Sequence, residues 1–275
     1  MIKKLILTVF IIMFAAAQNL SQSAFSKGVE DEILMVHDTP GIYVFKINTK
    51  KIGDKIKPFV ASKLTTASDI YKNNDKFAFV INGGFFDILT GDAVSYVTID
   101  GNVVETPFSN MKLIQNAGKT NRLEGILNRA EFRIFENERG NLSFDIDNHF
   151  AGVPEGKTIK HSIQGGPLVY PKMNLEAESF IVMENDKIKL QAADVLKRRE
   201  RTVLALKNEM LYFIIFTNQN KVNVNEIRDF CKKMKFDKAM ALDGGASTSV
   251  NFKDLEIFSS FGSQRRVKSF LVVEK

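Results

Sequence analysis

FAFVINGGFFD, from Phe77 to Asp87, decides how this chain is read. Five apolar residues in a row, aromatic and β-branched types among them, describe a strand buried on both faces. The strand runs into a polar residue, Asn82, then two glycines and two phenylalanines. A plain turn needs one glycine and has no use for exposed rings behind it. The device returns in SIQGGPLVY, Ser162–Tyr170, and in AMALDGGAST, Ala239–Thr248. Each time a polar residue stands where a strand stops: Asn82, Gln164 and Asp243. Three such ends point to one mouth on which three strands converge. Glycine lets a backbone approach a ligand closely, and successive N–H groups in such a turn form an anion-binding concavity. The alternative is three tight corners with no ligand.

The rest of the chain is punctuated around these turns. Gly41–Ile47 reads as a strand. Thr66 and Asp69 have capping-box spacing for a short helix ending near Asn73, just before the strand Phe77–Ile81. Val94–Ile99 is a further strand, followed by the turn Asp100-Gly101-Asn102. Residues 121–156 alternate apolar and polar around Gly140-Asn141, as a hairpin does. Thr202–Leu206 and Met210–Phe216 make another. Asn223 and Glu226 cap a helix whose Ile227, Phe230, Cys231 and Met234 share a face, so Cys231 reads as an inert core thiol. The strand Lys238–Leu242 leads into the third double glycine, and Val267–Val273 closes the chain. Helix, strand, then Asn82-Gly83-Gly84 resembles helix, strand, then Asp243-Gly244-Gly245: one local solution used twice. No Pro/Ser-rich linker divides the sequence. The expectation is a single α+β domain of curved mixed β-sheets with few helices.

The chain has 275 residues, 44% hydrophobic and 25% charged, an ordinary globular composition. It holds 23 Phe and no Trp, so Phe must build the aromatic core. Lys3 and Lys4 precede an apolar run, Leu5 to Ala17, that ends in three alanines. This reads as a signal peptide over residues 1–17, with an uncleaved anchor as the alternative. An N-terminal segment, 18–40, and a domain, 41–275, follow. The protein is thus expected to be exported, periplasmic or extracellular. No Cys follows the apolar run, which excludes a lipoprotein anchor, and the lone Cys231 excludes an intramolecular disulfide. Loss of residues 1–17 removes two Lys and no acid, taking the formal charge from +6 to +6 − 2 = +4. The basic residues are scattered, so nothing calls for nucleic acid.

Among these, Arg198, Arg199 and Arg201 precede a strand; Arg201, against the strand start, is the functional candidate. Ser247, Thr248 and Ser249 either cap a helix or contact a ligand. The sequence has no phosphate-binding P-loop, no nucleophile elbow, no H-E-x-x-H and no cysteine pair. Of the dispersed His37, His149 and His161, only His161 is placed near the mouth. A hydrated Ca²⁺ or Mg²⁺ on Asp87, Asp243 and carbonyls stays open.

Taken in order, INGGFFD, QGGPLV, RRERTVLAL, ALDGGASTSV and RRVKSFLVV resemble the motif series of the phosphodiester glycosidase domain family, from about Gly41 to the C-terminus. Asn82, Gly83, Gly84 and Phe85 carry the first motif; Gln164, Gly165 and Gly166 the second. Arg201 and Thr202 match an Arg-Thr pair, and Asp243, Gly244 and Gly245 with Ser247 and Thr248 the next. There are departures. Glu200 replaces a Pro, and a closing Glu-Arg-x-Val-x-Asn reads Gln264-Arg265-Arg266-Val267-Lys268-Ser269.

The resemblance implies hydrolysis of a sugar-1-phosphodiester at the glycosidic C1–O bond. A phosphate leaves without the full protonation an alkoxide needs, but its developing charge needs cations and N–H donors. Arg201, Arg265 and the double-glycine amides are the expected donors. Asp243, with Asp87 second, activates water or steadies the oxocarbenium-like sugar. Asn82 and Gln164 hold sugar hydroxyls, and Phe85 or Phe86 packs on the ring. The lost Glu and Asn support a second class, a non-catalytic envelope protein that binds a phosphorylated glycan or cell-wall polymer. Cleavage of a different phosphodiester bond is the third.

Overall fold

The computed structural model describes residues 28–259 and 263–275; the expected signal peptide lies outside the described residues. A six-stranded sheet takes its strands in the order Ile33–Thr39, Ile42–Ile47, Met210–Phe216, Arg201–Lys207, Lys238–Ala241, Leu168–Tyr170. A five-stranded sheet runs Leu255–Phe258, Ser249–Phe252, Phe77–Asn82, Val267–Glu274, Ile56–Thr65. A second runs Asn102–Glu105, Val97–Ile99, Lys157–Gln164, Ala130–Asn137, Leu142–Asn148. Ile181–Glu184 and Lys187–Gln191 form a separate ribbon. The expected fold of several sheets and few short helices is what forms. Where mixed sheets were expected, every pairing among the described strands is antiparallel.

Phe77–Asn82 is buried at all six positions because it is central: Ser249–Phe252 flanks it on one side and Val267–Glu274 on the other. That pairing brings the first motif against the last two. Phe supplies the core between sheets, as its abundance requires. The rings of Phe79 and Phe213 stack at 5.2 Å, and Phe45 meets Phe79 edge-on at 5.3 Å. Each such side chain contributes about 2–3 kcal/mol by burial.

The helix Val224–Met234 starts in a full capping box between Asn223 and Glu226 and packs Ile227 and Cys231 into a second apolar cluster with Val203 and Ile214. Burial pushes the Cys231 thiol up to about 12, which leaves it inert. The helix Ala67–Lys72 starts on Thr66, whose hydroxyl accepts from Asp69 N at 2.9 Å. Both helix–strand–double-glycine units therefore form, in different sheets.

Several elements escape the sequence reading: the ten-residue strand Ile56–Thr65, the hairpin of Ser249–Phe252 with Leu255–Phe258, the helix Met111–Gly118 and the ribbon of Ile181–Glu184 with Lys187–Gln191. The stretch 121–156, read as a hairpin throughout, opens with the short helix Leu123–Leu127, and the hairpin itself begins at Ala130. The strand expected from Val94 begins only at Val97, because Ser95 turns inward to accept Phe85 N at 2.9 Å. The segment 18–40 is not separate over its last part: Ile33–Thr39 is an edge strand paired with Ile42–Ile47.

Candidate active site

The three double glycines meet. Asp243 N donates to Gly83 O at 3.1 Å, and Gly166 N donates to Ala241 O at 2.8 Å. A methyl group on Gly84 would collide with the carbonyl oxygen of Gln164, so the first turn touches the second. At Gly166, φ is +102° and a Cβ would stand 2.7 Å from Glu178 Oε2, so only glycine fits.

The glycine amides are not an open anion nest, contrary to expectation. Gly83 N donates to Ser269 O at 2.8 Å and Gly84 N to Ser269 Oγ at 3.1 Å. Gly165 N is taken by Ala130 O at 2.9 Å and Gly245 N by Glu200 O at 2.8 Å. The Gly244 N–H acts on the Asp243 carboxyl and lowers its pKa. The glycines are there so that three turns can pack backbone to backbone.

The polar residues before the glycines divide into two braces and one perturbed carboxyl. Asn82, fully buried, donates from Nδ2 to Asp243 O at 2.7 Å and accepts Thr202 Oγ1 at 2.8 Å and Ser249 N at 3.0 Å on Oδ1. Gln164, also fully buried, accepts Tyr96 N at 3.3 Å and donates to Leu127 O at 2.8 Å. Both hold strands together, where the sequence suggested sugar ligands, and Thr202 completes the Asn82 brace. Asp243 is different. It is only half-buried by area, yet protein surrounds it, and that desolvation pushes its carboxyl up to about 6. The Ser247 hydroxyl, Arg265, Gly244 N–H and Arg201 pull the other way.

The two candidate arginines differ. Arg201 is 5% exposed and spends four of its five N–H donors on the carbonyls of Val222, Ala193, Asp194 and Lys197, at 2.6–3.3 Å. Burial lowers it to about 10, still cationic at neutral pH. Arg265 is exposed, acts electrostatically on Asp243, and has no hydrogen bond or ion pair among the described residues. Thr248 is fully buried with its hydroxyl unpartnered among them.

Asp87 lies apart from Asp243 in role. Its Oδ1 accepts Leu89 N at 2.8 Å in its own turn, and those backbone donors, with Lys112 nearby, hold its carboxyl below the usual range. No group of three or more His, Cys, Asp or Glu able to hold a metal exists among the described residues. Phe86 packs in the core with Phe77 and Phe270, which leaves Phe85, half-buried, as the ring beside the mouth. Gln264 accepts Ser68 N at 2.9 Å, tied to a helix start.

His161 is not at the mouth: its Nδ1 accepts Asp100 N at 3.2 Å at a distant turn. His149 is nearer. Its ring stacks on Tyr96 at 4.0 Å, its Nδ1 meets Glu131 Oε2 at 3.1 Å, and its backbone N donates to Arg129 O at 3.1 Å. Arg129 and Glu178, which the sequence reading missed, stand under the second turn. Glu178 accepts Ala130 N and Leu168 N, both at 2.8 Å, and Arg129 Cζ lies 4.0 Å from the Phe180 ring centroid and 5.3 Å from that of Phe85. No spacing in the sequence signals them; they meet through strand pairing.

The three turns pack into one mouth at which three strand ends converge, with Asp243 tied to the first of them. The chain is a member of the phosphodiester glycosidase family, whose profile matches residues 75–274. Among curated proteins there is no significant match. The fold is similar to the catalytic domain of zebrafish N-acetylglucosamine-1-phosphodiester α-N-acetylglucosaminidase, auto-inhibited by its pro-peptide. The TM-score is 0.62 and the identity 14%, over 88% of this chain and 81% of that one. It is also similar to a hypothetical protein from Synechocystis, at TM-score 0.57 and 14% identity, over 88% and 61%. A protein of Burkholderia pseudomallei described as exported matches at TM-score 0.55 and 10% identity, over 84% and 73%.

Proposed function

We propose that this protein is an exported hydrolase, periplasmic or extracellular, that cleaves the glycosidic C1–O bond of a sugar-1-phosphodiester. The observation that carries this reading is Asp243: a carboxyl raised to about 6, with the Ser247 hydroxyl and the exposed Arg265 acting on it, where the three turns meet. Near neutral pH it is ionised and basic enough to take a proton from water. Water adds at C1, the C1–O bond breaks, and its electron pair leaves on the phosphate. Arg265 meets the charge that develops there. Phe85 is the ring against which the sugar packs. The ligand is a phosphorylated sugar or glycan.

The test is the chain without residues 1–17, incubated with UDP-N-acetylglucosamine and with a synthetic sugar-1-phosphodiester, with and without EDTA. Free sugar from the wild type and none from Asp243→Asn supports the proposal. The EDTA arm decides whether Ca²⁺ or Mg²⁺ takes part. Turnover by Asp243→Asn equal to wild type removes the central role.

One observation favours a second reading, a non-catalytic binder of phosphorylated glycan. Gln264 and Ser269, which replace the Glu and Asn of the closing motif, are spent on Ser68 N and Gly84 N. That reading expects saturable glycan binding without release of sugar.

A further inference from the structure

We propose that Arg129, packed against the rings of Phe180 and Phe85 beside the first two glycine turns, is the buried cation that receives a phosphate oxyanion of the ligand. The inference rests on reading this mouth as a phosphodiester site, and gives the phosphate a ligand that the motif series does not include.

Unspent donors are the first argument. Arg129 is 5% exposed, and its Nε donates to Glu178 O at 3.2 Å. Neither terminal nitrogen has an acceptor among the described residues. Nor is either sealed in: the enclosed unpartnered side-chain atoms there are Asn48 Oδ1, Arg122 Nε, Thr248 Oγ1, Asn251 Oδ1 and Gln264 Nε2. A desolvated guanidinium whose terminal N–H groups keep some solvent contact and meet no protein acceptor is suited to an anionic ligand.

Charge balance is the second. Arg122 lies close enough to Arg129 to oppose its charge, and both bind the same short loop, Arg129 through Glu178 O and Arg122 through Ser179 O at 3.1 Å. Glu178, the carboxylate that acts on Arg129, already accepts backbone N–H groups on both its oxygens. A further anion is what the group lacks.

Shape is the third. Phe180 covers one face of the guanidinium and Phe85 closes an adjoining side, with the two ring centroids 5.9 Å apart. Approach is left to the edge, where two parallel N–H groups meet two oxygens of one phosphate. The competing donors are mostly consumed: the glycine amides by the backbone, and four N–H groups of Arg201 by carbonyls.

The test measures inorganic phosphate binding by calorimetry at low salt to the chain without residues 1–17, as wild type, Arg129→Gln, Arg129→Lys and, as a control, Arg139→Gln on the exposed turn after Ala130–Asn137. The Gln variant of Arg129 is expected to lose about tenfold in affinity. The Lys variant keeps the charge but not the fork, so several-fold loss is expected with an unfolding midpoint near wild type. Arg139→Gln should bind phosphate as wild type does. A folded Arg129→Lys or Arg129→Gln with wild-type affinity overturns the inference, as does a wild type that binds no phosphate. Sugar release unaffected by Arg129 substitution would sink this inference and leave the hydrolase reading standing. Phosphate bound through Arg129 without any sugar release would do the reverse.

Discussion

Asn82 and Asp243, 161 residues apart, are joined by a 2.7 Å hydrogen bond from the Asn82 side chain to the Asp243 main-chain oxygen. The same Asn82 oxygen accepts Thr202 and Ser249, so one buried amide ties together the strand ends of two sheets. Asn82→Ala orphans three buried partners. An expected loss of about 3 kcal/mol in urea unfolding follows, with activity falling because Asp243 is no longer placed. Unchanged stability would show that the brace is dispensable.

The raised carboxyl of Asp243 sets a pH dependence in two quantities. Its folded value is about 6 against an ordinary 3.8, so the native state holds the proton more tightly. Stability therefore falls as pH rises from 3.8 to about 6, and the cost is fully present above that. Asp243→Asn should be more stable than wild type by about 1–2 kcal/mol at pH 7, allowing for its solvent contact, and equal below pH 4. Because the ionised form is the base, kcat/KM should climb to a plateau through about pH 6. Unfolding curves and rate profiles check both.

Arg201 and Arg265 should separate cleanly. Arg201→Gln strands four carbonyls of the loop 193–197 and Val222, and is expected to destabilise by about 2–3 kcal/mol. Arg265→Gln touches no such network. Its stability should stay within about 0.5 kcal/mol while kcat/KM falls and loses part of its salt dependence. The measurements are thermal unfolding and rates at two ionic strengths.

What the sequence made legible was whatever a local pattern encodes. The strand Phe77–Asn82, the capped helix after Asn223 and the convergence of three double glycines were all readable. Roles within the mouth were not. Asn82 and Gln164 have the chemistry of sugar ligands, and only strand pairing reveals that both are consumed by the fold. Arg129 and Glu178 stand 49 residues apart on a strand end and a loop, in no motif, and meet because Ala130–Asn137 and Leu168–Tyr170 both end at the mouth. His161, expected at the mouth, is instead spent on Asp100 N, and His149 stacks on Tyr96; strand pairing, not spacing, sets both contacts.

Gln264→Glu is expected to cost stability. The residue's Oε1 accepts Ser68 N in the first helical turn, but its buried Nε2 has no partner among the described residues, so the glutamate buries a second carboxylate oxygen without a donor. A loss of about 1–3 kcal/mol at pH 7, recovered as pH falls below about 4, is expected in urea unfolding. Unchanged stability would show that the new oxygen finds a donor.

The position of bond cleavage tests the central claim most directly. Hydrolysis of a sugar-1-phosphodiester in oxygen-18-labelled water places the label by the atom attacked. Label on the sugar hydroxyl at C1, with unlabelled phosphomonoester, is the result this account predicts. Label in the phosphate, or a sugar phosphate as product, would contradict it.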